Sequence, residues 1–160
     1  MKHGAVLVSN KYPFPADDGK KATLAGLVGY LVERFGAEAV TYVVIARKPV
    51  AAPPPIGCEV VWMPPPTRAR QAWNGMLCLS GVSPRSLQEA LTWSPVIAEA
   101  LAALVARLEP RLLVMDMIRT GQYFEQPANG ALRVLFMDDL YYVRFRRLLD
   151  VAASSPGASI

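Results

Sequence analysis

The side chains of this chain that carry usable chemistry sit where short apolar runs end. Asp116 closes the run Leu112 to Met115, and Asp138-Asp139 close the run Arg133 to Met137. Gly19-Lys20-Lys21 stand between the loop that follows Ala5 to Val8 and a long helical pattern. A glycine just before a helix amino terminus permits close backbone approach, and the free N–H groups there favour anions. Lys20 and Lys21 add positive charge to that turn, so its chemistry is recognition of an anion or a polar oxygen. Carboxylates at strand ends suit the orientation of a hydroxyl group, or, as the trio Asp116, Asp138 and Asp139, the holding of Mg²⁺. Plainer readings stand beside these: helix caps and solvated edge charges for the aspartates, and an ordinary connection with exposed lysines for the loop Tyr12 to Lys21.

Several familiar sites are excluded by residue type. The first loop has no GxGxxG, so the dinucleotide fingerprint is absent. Gly19-Lys20 is not a phosphate-binding P-loop, because Phe14 stands where its first glycine should be and Lys21 replaces the Ser/Thr. A phospho-acceptor receiver needs an aspartate at the end of the third strand, where Met63 stands. His3, the single histidine, precedes the first strand, which argues against Ser-His-Asp or Cys-His catalysis and against a histidine metal cluster. Cys58 and Cys78 have no zinc-type spacing and read as free thiols in a reducing compartment. The net charge of +4 favours an anionic partner, but no long basic run is present, so a nucleic-acid binder is not expected.

The elements that must position these groups read as alternating strands and helices. Strands are expected at Ala5 to Val8, Val40 to Ala46, Glu59 to Met63, Leu112 to Met115 and Arg133 to Met137. Each is apolar on consecutive positions, the mark of a strand covered on both faces of a parallel sheet. Leu24, Leu27, Val28, Leu31, Val32 and Phe35 follow the spacing of one buried helical face, closed by Gly36 as a left-handed cap. Ile97, Leu101, Leu104, Val105 and Leu108 form a second such stripe, ended by Pro110. Ser83-Pro84 and Ser94-Pro95 each read as a helix cap with proline at the first helical position. A last helix is expected from Asp138-Asp139, with Leu140, Val143 and Leu148 inward, and residues 152–160 as a linker stub. The expected fold class is therefore α/β: a three-layer α/β/α Rossmann-like domain over residues 1–150, with a mostly parallel sheet in the order 3-2-1-4-5.

Three segments in this order resemble the amino-terminal domain of retaining family 4 glycosyltransferases, which have the two-domain GT-B architecture. Phe14-Pro15-Ala16-Asp17-Asp18-Gly19 before the Leu-rich helix is similar to the family's P-x-x-G-G loop, with Asp18 in place of the first glycine. Glu109-Pro110-Arg111-Leu112-Leu113-Val114-Met115-Asp116, then Arg119 and Gln122-Tyr123, resembles its P-D-hydrophobic-V-H strand, with Arg111 for the aspartate and Val114 for a common histidine. Val134 to Asp139 with Arg144, Arg146 and Arg147 is similar to a strand-D-x-x-S-x-R-x-R pattern of some branches.

The resemblance implies an acceptor-side domain whose partner, a carboxyl-terminal donor domain carrying E-x(7)-E, is missing here, and which is inactive without it. It implies a nucleotide-sugar donor as substrate, a sugar or lipid-linked acceptor, and no cofactor. It places Gly19, Lys20, Arg119 and Asp138 around the donor/acceptor cleft and makes Asp116 the candidate catalytic group. Arg68, Arg70, Trp73, Met76, Leu77 and Leu79 mix basic and apolar side chains, which suits contact with anionic lipid; a lid over the core edge is the plainer reading. With no secretory signal and no apolar run long enough to span a bilayer, the expected location is the cytoplasm, at the inner face of a membrane if the lipid contact exists. Two rivals remain open: a stand-alone Rossmann-like binding or interaction module without catalysis, and a small hydrolase using Asp116, Asp138 and Asp139.

Overall fold

The structure, a computed structural model, describes residues 3–47, 56–125, 130–137 and 146–147. Five strands form one sheet: β1 (Ala5–Ser9), β2 (Val40–Ile45), β3 (Glu59–Met63), β4 (Leu112–Asp116) and β5 (Leu132–Phe136). Their order is β3-β2-β1-β4-β5, and every neighbouring pair is parallel. The helices are α1 (Gly19–Phe35), α2 (Arg68–Leu79), α3 (Leu87–Thr92), α4 (Pro95–Leu108) and α5 (Met117–Gly121). The fold is thus the α/β three-layer arrangement expected from the alternating pattern, with the expected strand order.

Alternate residues of the strands feed two cores. Ala5, Leu7, Val40, Tyr42, Val44 and Val114 pack under Val28 and Leu31 of α1. Val6, Val8, Val43, Leu113 and Met115 pack under Ile97, Leu101, Leu104 and Val105 of α4. The inward stripes of both helices are those that the i, i+3, i+4 spacing marks. Gly36 closes α1 at φ +89°, where a side chain would be strained, and its N–H bonds the Val32 carbonyl. Pro95 opens α4 at its first turn, where the missing N–H costs nothing.

Two expectations are corrected. Only β1, β2 and β4 are covered on both faces; β5 has exposed side chains at Leu132, Arg133, Val134 and Leu135, and β3 is half-exposed. Both are edge strands, so a consecutive apolar run does not by itself mean double cover. Ser83-Pro84 does not open a helix. The Ser83 hydroxyl accepts from the Arg85 N–H, and α3 begins after Ser86, whose reciprocal bonds with Glu89 make a capping box. The helix expected after Asp138-Asp139 lies outside the described residues, apart from the helical pair 146–147.

Cys58 packs beside the α1-side core, and burial pushes its thiol up to about 11 from an ordinary value near 9. Above pH 9 the unfolded chain releases a proton that the native state keeps, so this thiol withdraws stability as pH rises toward 11. At pH 8 the native thiol should alkylate roughly a hundredfold more slowly than a free cysteine, because thiolate is the reactive form. Peptide-resolved labelling with and without urea checks this, and equal rates would remove the claim.

Candidate functional site

β1 sits at the centre of the sheet, with β2 on one side and β4 on the other, so the connections leaving β1 and β4 diverge. A crevice outside the carboxyl ends of two such strands is the usual ligand position in open α/β sheets. Two polar residues close otherwise apolar strands there. Ser9 ends β1 and Asp116 ends β4, and both are fully buried. The Ser9 hydroxyl donates to Asp116 Oδ2 at 3.0 Å. Lys20, in the first turn of α1, forms an ion pair with Asp116 Oδ1 and places its ammonium 5.5 Å from the centre of the Phe136 ring. Its side chain keeps 19% exposure against 0% for Asp116. The carboxylate is thus inside and the ammonium reaches the surface, so Asp116 holds Lys20 at the crevice without itself facing solvent.

The backbone around Asp116 is unusual in a second way. Met117 adopts φ +67°, a left-handed conformation that costs a side-chain-bearing residue about 1 kcal/mol. That turn swings the chain from β4 into α5, and Thr120 secures it by donating its hydroxyl to the Asp116 and Met117 carbonyls at 2.6 and 3.2 Å.

The loop after β1 folds back on the sheet. Tyr12 stacks on Trp62 with ring centres 5.4 Å apart and meets Phe14 edge-on, while the Tyr42 hydroxyl donates to the Lys11 carbonyl. Burial holds the Tyr42 phenol well above its ordinary value, so it stays a donor at any physiological pH. Asp18 caps α1, accepting from the Lys21 N–H at 2.7 Å, and that bond holds its exposed carboxyl below the usual range. Lys21 pairs with Asp17 at 2.6 Å, so of the two lysines only Lys20 turns toward Asp116. Gly19 is helical, and a Cβ built on it would meet nothing within 4 Å.

On the α4 side of the same edge lies a cleft of about 350 Å³, lined among others by Asn10, Arg47, Gln71, Arg119, Thr120 and Tyr123. Arg47 and Arg119 line it, and among the described residues no aspartate or glutamate does. Its floor is built: the Tyr123 hydroxyl donates to the Thr92 carbonyl at 2.9 Å, and the Gln122 amide donates to Thr92 Oγ1 and the Arg119 carbonyl. Gln122 Oε1 is buried and has no hydrogen-bond partner among the described residues.

Of the expected site residues, Gly19, Lys20, Asp116 and Arg119 lie at the same edge of the sheet, with Asp116 buried beneath it and Arg119 lining the cleft. Asp138 and its neighbour Asp139 lie outside the described residues. Arg68, Arg70, Trp73 and Leu77 lie on α2, whose Gln71 lines that cleft, whereas Arg70, Trp73 and Leu77 line a separate pocket against α3. Ser9, Asn10 and Arg47 were not singled out by sequence reasoning, although each ends or follows an apolar strand, and that position is the signal that marks Asp116. Among the described residues no group of three acidic, histidine or cysteine side chains could hold a metal ion, and no helix is long and apolar enough to cross a membrane. Compared with protein-family models, curated proteins and solved structures, the chain matches none.

Proposed function

We propose that this chain is the amino-terminal, acceptor-side domain of a retaining, family 4-like GT-B glycosyltransferase that uses a nucleotide-sugar donor and acts in the cytoplasm. The observation that carries the reading is the concentration of cationic donors at the carboxyl ends of β1, β2 and β4. Lys20 is held there by buried Asp116, and Arg47 and Arg119 line the neighbouring cleft. A departing nucleoside diphosphate is stabilised by positive groups already in place, which need no reorganisation as charge develops. Asp116 is then a positioning residue for Lys20, and Arg119 is the group that contacts the anion. The order and spacing of the three motif segments support the same reading. Turnover would require a second, donor-binding domain, because stabilisation of the transition state converges from both sides of the cleft.

Gly19→Ala separates recognition from folding. The added methyl meets open space at the start of a helix, so the fold should gain up to roughly 1 kcal/mol from reduced glycine entropy. A diphosphate lying against that backbone would be pushed away, and affinity should fall about tenfold. Amide chemical shifts titrated with UDP-glucose, GDP-mannose and inorganic pyrophosphate test both halves. Shifts at Gly19, Lys20 and Arg119 that weaken in the alanine variant support the proposal. Shifts absent from this edge with every ligand would remove it and leave the non-catalytic module as the better reading.

A further inference from the structure

α2 is arranged contrary to the usual rule for a helix on a water-facing domain. Its buried positions are Asn74 and Gly75, and the stripe facing solvent is Trp73, Met76 and Leu79, at 53%, 52% and 80% exposure. Cohesion with α3 does not depend on that stripe, because the Asn74 amide donates to the Ala90 and Trp93 carbonyls, each at 2.9 Å. The connection and α3 extend the apolar surface with exposed Val82, Leu87 and Leu91. So many large apolar side chains left outward by a helical hairpin mark a surface that something covers.

The charge of the hairpin says what kind of surface that is. Between Thr67 and Ser94 the basic residues are Arg68, Arg70 and Arg85, and the single acidic residue, Glu89, is engaged by the Ser86 N–H and hydroxyl. Arg70 and Arg85 line one pocket of about 320 Å³ between α2 and α3, together with Trp73 and Leu77. The Arg85 guanidinium stacks 3.9 Å from the centre of the Trp93 ring, which itself stacks on buried Tyr123. A guanidinium stacked in this way keeps in-plane N–H groups that match a phosphate.

We propose that the α2–α3 hairpin docks on an anionic phospholipid surface, with Trp73, Met76 and Leu79 in the interface and a headgroup phosphate between Arg70 and Arg85. The combination of apolar stripe, tryptophan and flanking arginines is that of an interfacial helix, which seats its apolar face at the headgroup boundary. The arginines supply the preference for negative lipid, and the apolar residues supply the depth.

Co-sedimentation of the purified chain with phosphatidylcholine vesicles, with and without phosphatidylglycerol, tests this without any nucleotide sugar, so its outcome is independent of the transferase reading. Binding should be at least roughly tenfold stronger to the anionic vesicles and should weaken steeply with salt. Brominated acyl chains should quench tryptophan emission, and Trp73→Phe should remove most of that quenching while Trp62 and Trp93 still report a folded chain. Arg70→Gln with Arg85→Gln should remove most of that anionic preference. Met76→Ser with Leu79→Ser, both at exposed positions, should abolish quenching with an unchanged circular dichroism spectrum. Equal binding to neutral and anionic vesicles, or none to either, overturns the proposal. So does full competition by inorganic phosphate at constant ionic strength, which would mean a free-phosphate pocket. A concentration-dependent dimer lost in the serine variant overturns it too, because the stripe would then cover a second copy.

Discussion

Asp116→Ala is expected to lower the unfolding free energy by about 3 kcal/mol, the scale for removing one partner of a buried pair. The carboxylate is fully buried and accepts from Ser9 and Lys20. Its loss takes from the buried Ser9 hydroxyl the acceptor of its proton, although the oxygen still accepts from the Lys11 N–H, and takes from Lys20 its buried carboxylate. Asp116→Asn should cost less, about 1–2 kcal/mol, because the amide oxygen still accepts from Ser9. Lys20→Met should destabilise on its own, and the double variant Asp116→Ala/Lys20→Met should be less destabilised than the sum by about 1 kcal/mol or more. Urea denaturation of the four proteins gives the cycle. A cost below about 1 kcal/mol for Asp116→Ala would mean the pair behaves as an exposed surface ion pair, which contributes little. In a complete transferase the same substitution should lower turnover by about a hundredfold through misplacement of Lys20; near-normal turnover would take Asp116 out of the site.

Leu31→Ala and Leu101→Ala should each cost about 3 kcal/mol, within the range for emptying a closely packed leucine site. Leu31 fills the α1-side core and Leu101 the α4-side core, and each is 1% exposed. The sheet stands between them, so neither cavity can be relieved by collapse of the other. The pair should therefore be additive to within about 0.5 kcal/mol. Calorimetric or urea-derived stabilities test this, and a strong coupling would show that the two cores relax through the strands as one.

These two leucines illustrate what could be read from the chain. Where a helix buries one apolar stripe against a sheet, as α1 and α4 do, spacing alone places the inward residues and the caps. Strand order followed from the alternation of elements, and the edge shared by Lys20, Asp116 and Arg119 followed from strand polarity. The segment between Thr67 and Thr92 was opaque for a physical reason. α2 buries Asn74 and Gly75 and exposes Trp73, Met76 and Leu79, so its hydrophobic period points away from the core and gives no usable reading. α5 was missed because five residues are too few to show a period, and its start depends on the left-handed turn at Met117, which no residue type announces. Ser9 was missed because its partner is 107 positions away.

That separation has a consequence for synthesis. The middle strand of the sheet is the first one made, yet its second neighbour does not exist until the ribosome has passed Asp116. At typical elongation rates of about 5–20 residues per second, Ser9 waits on the order of 5–20 s for its partner. During that interval an apolar strand has one flank open, so the nascent chain offers a pairing edge to chaperones, or to neighbouring nascent chains, before it can shield that edge itself.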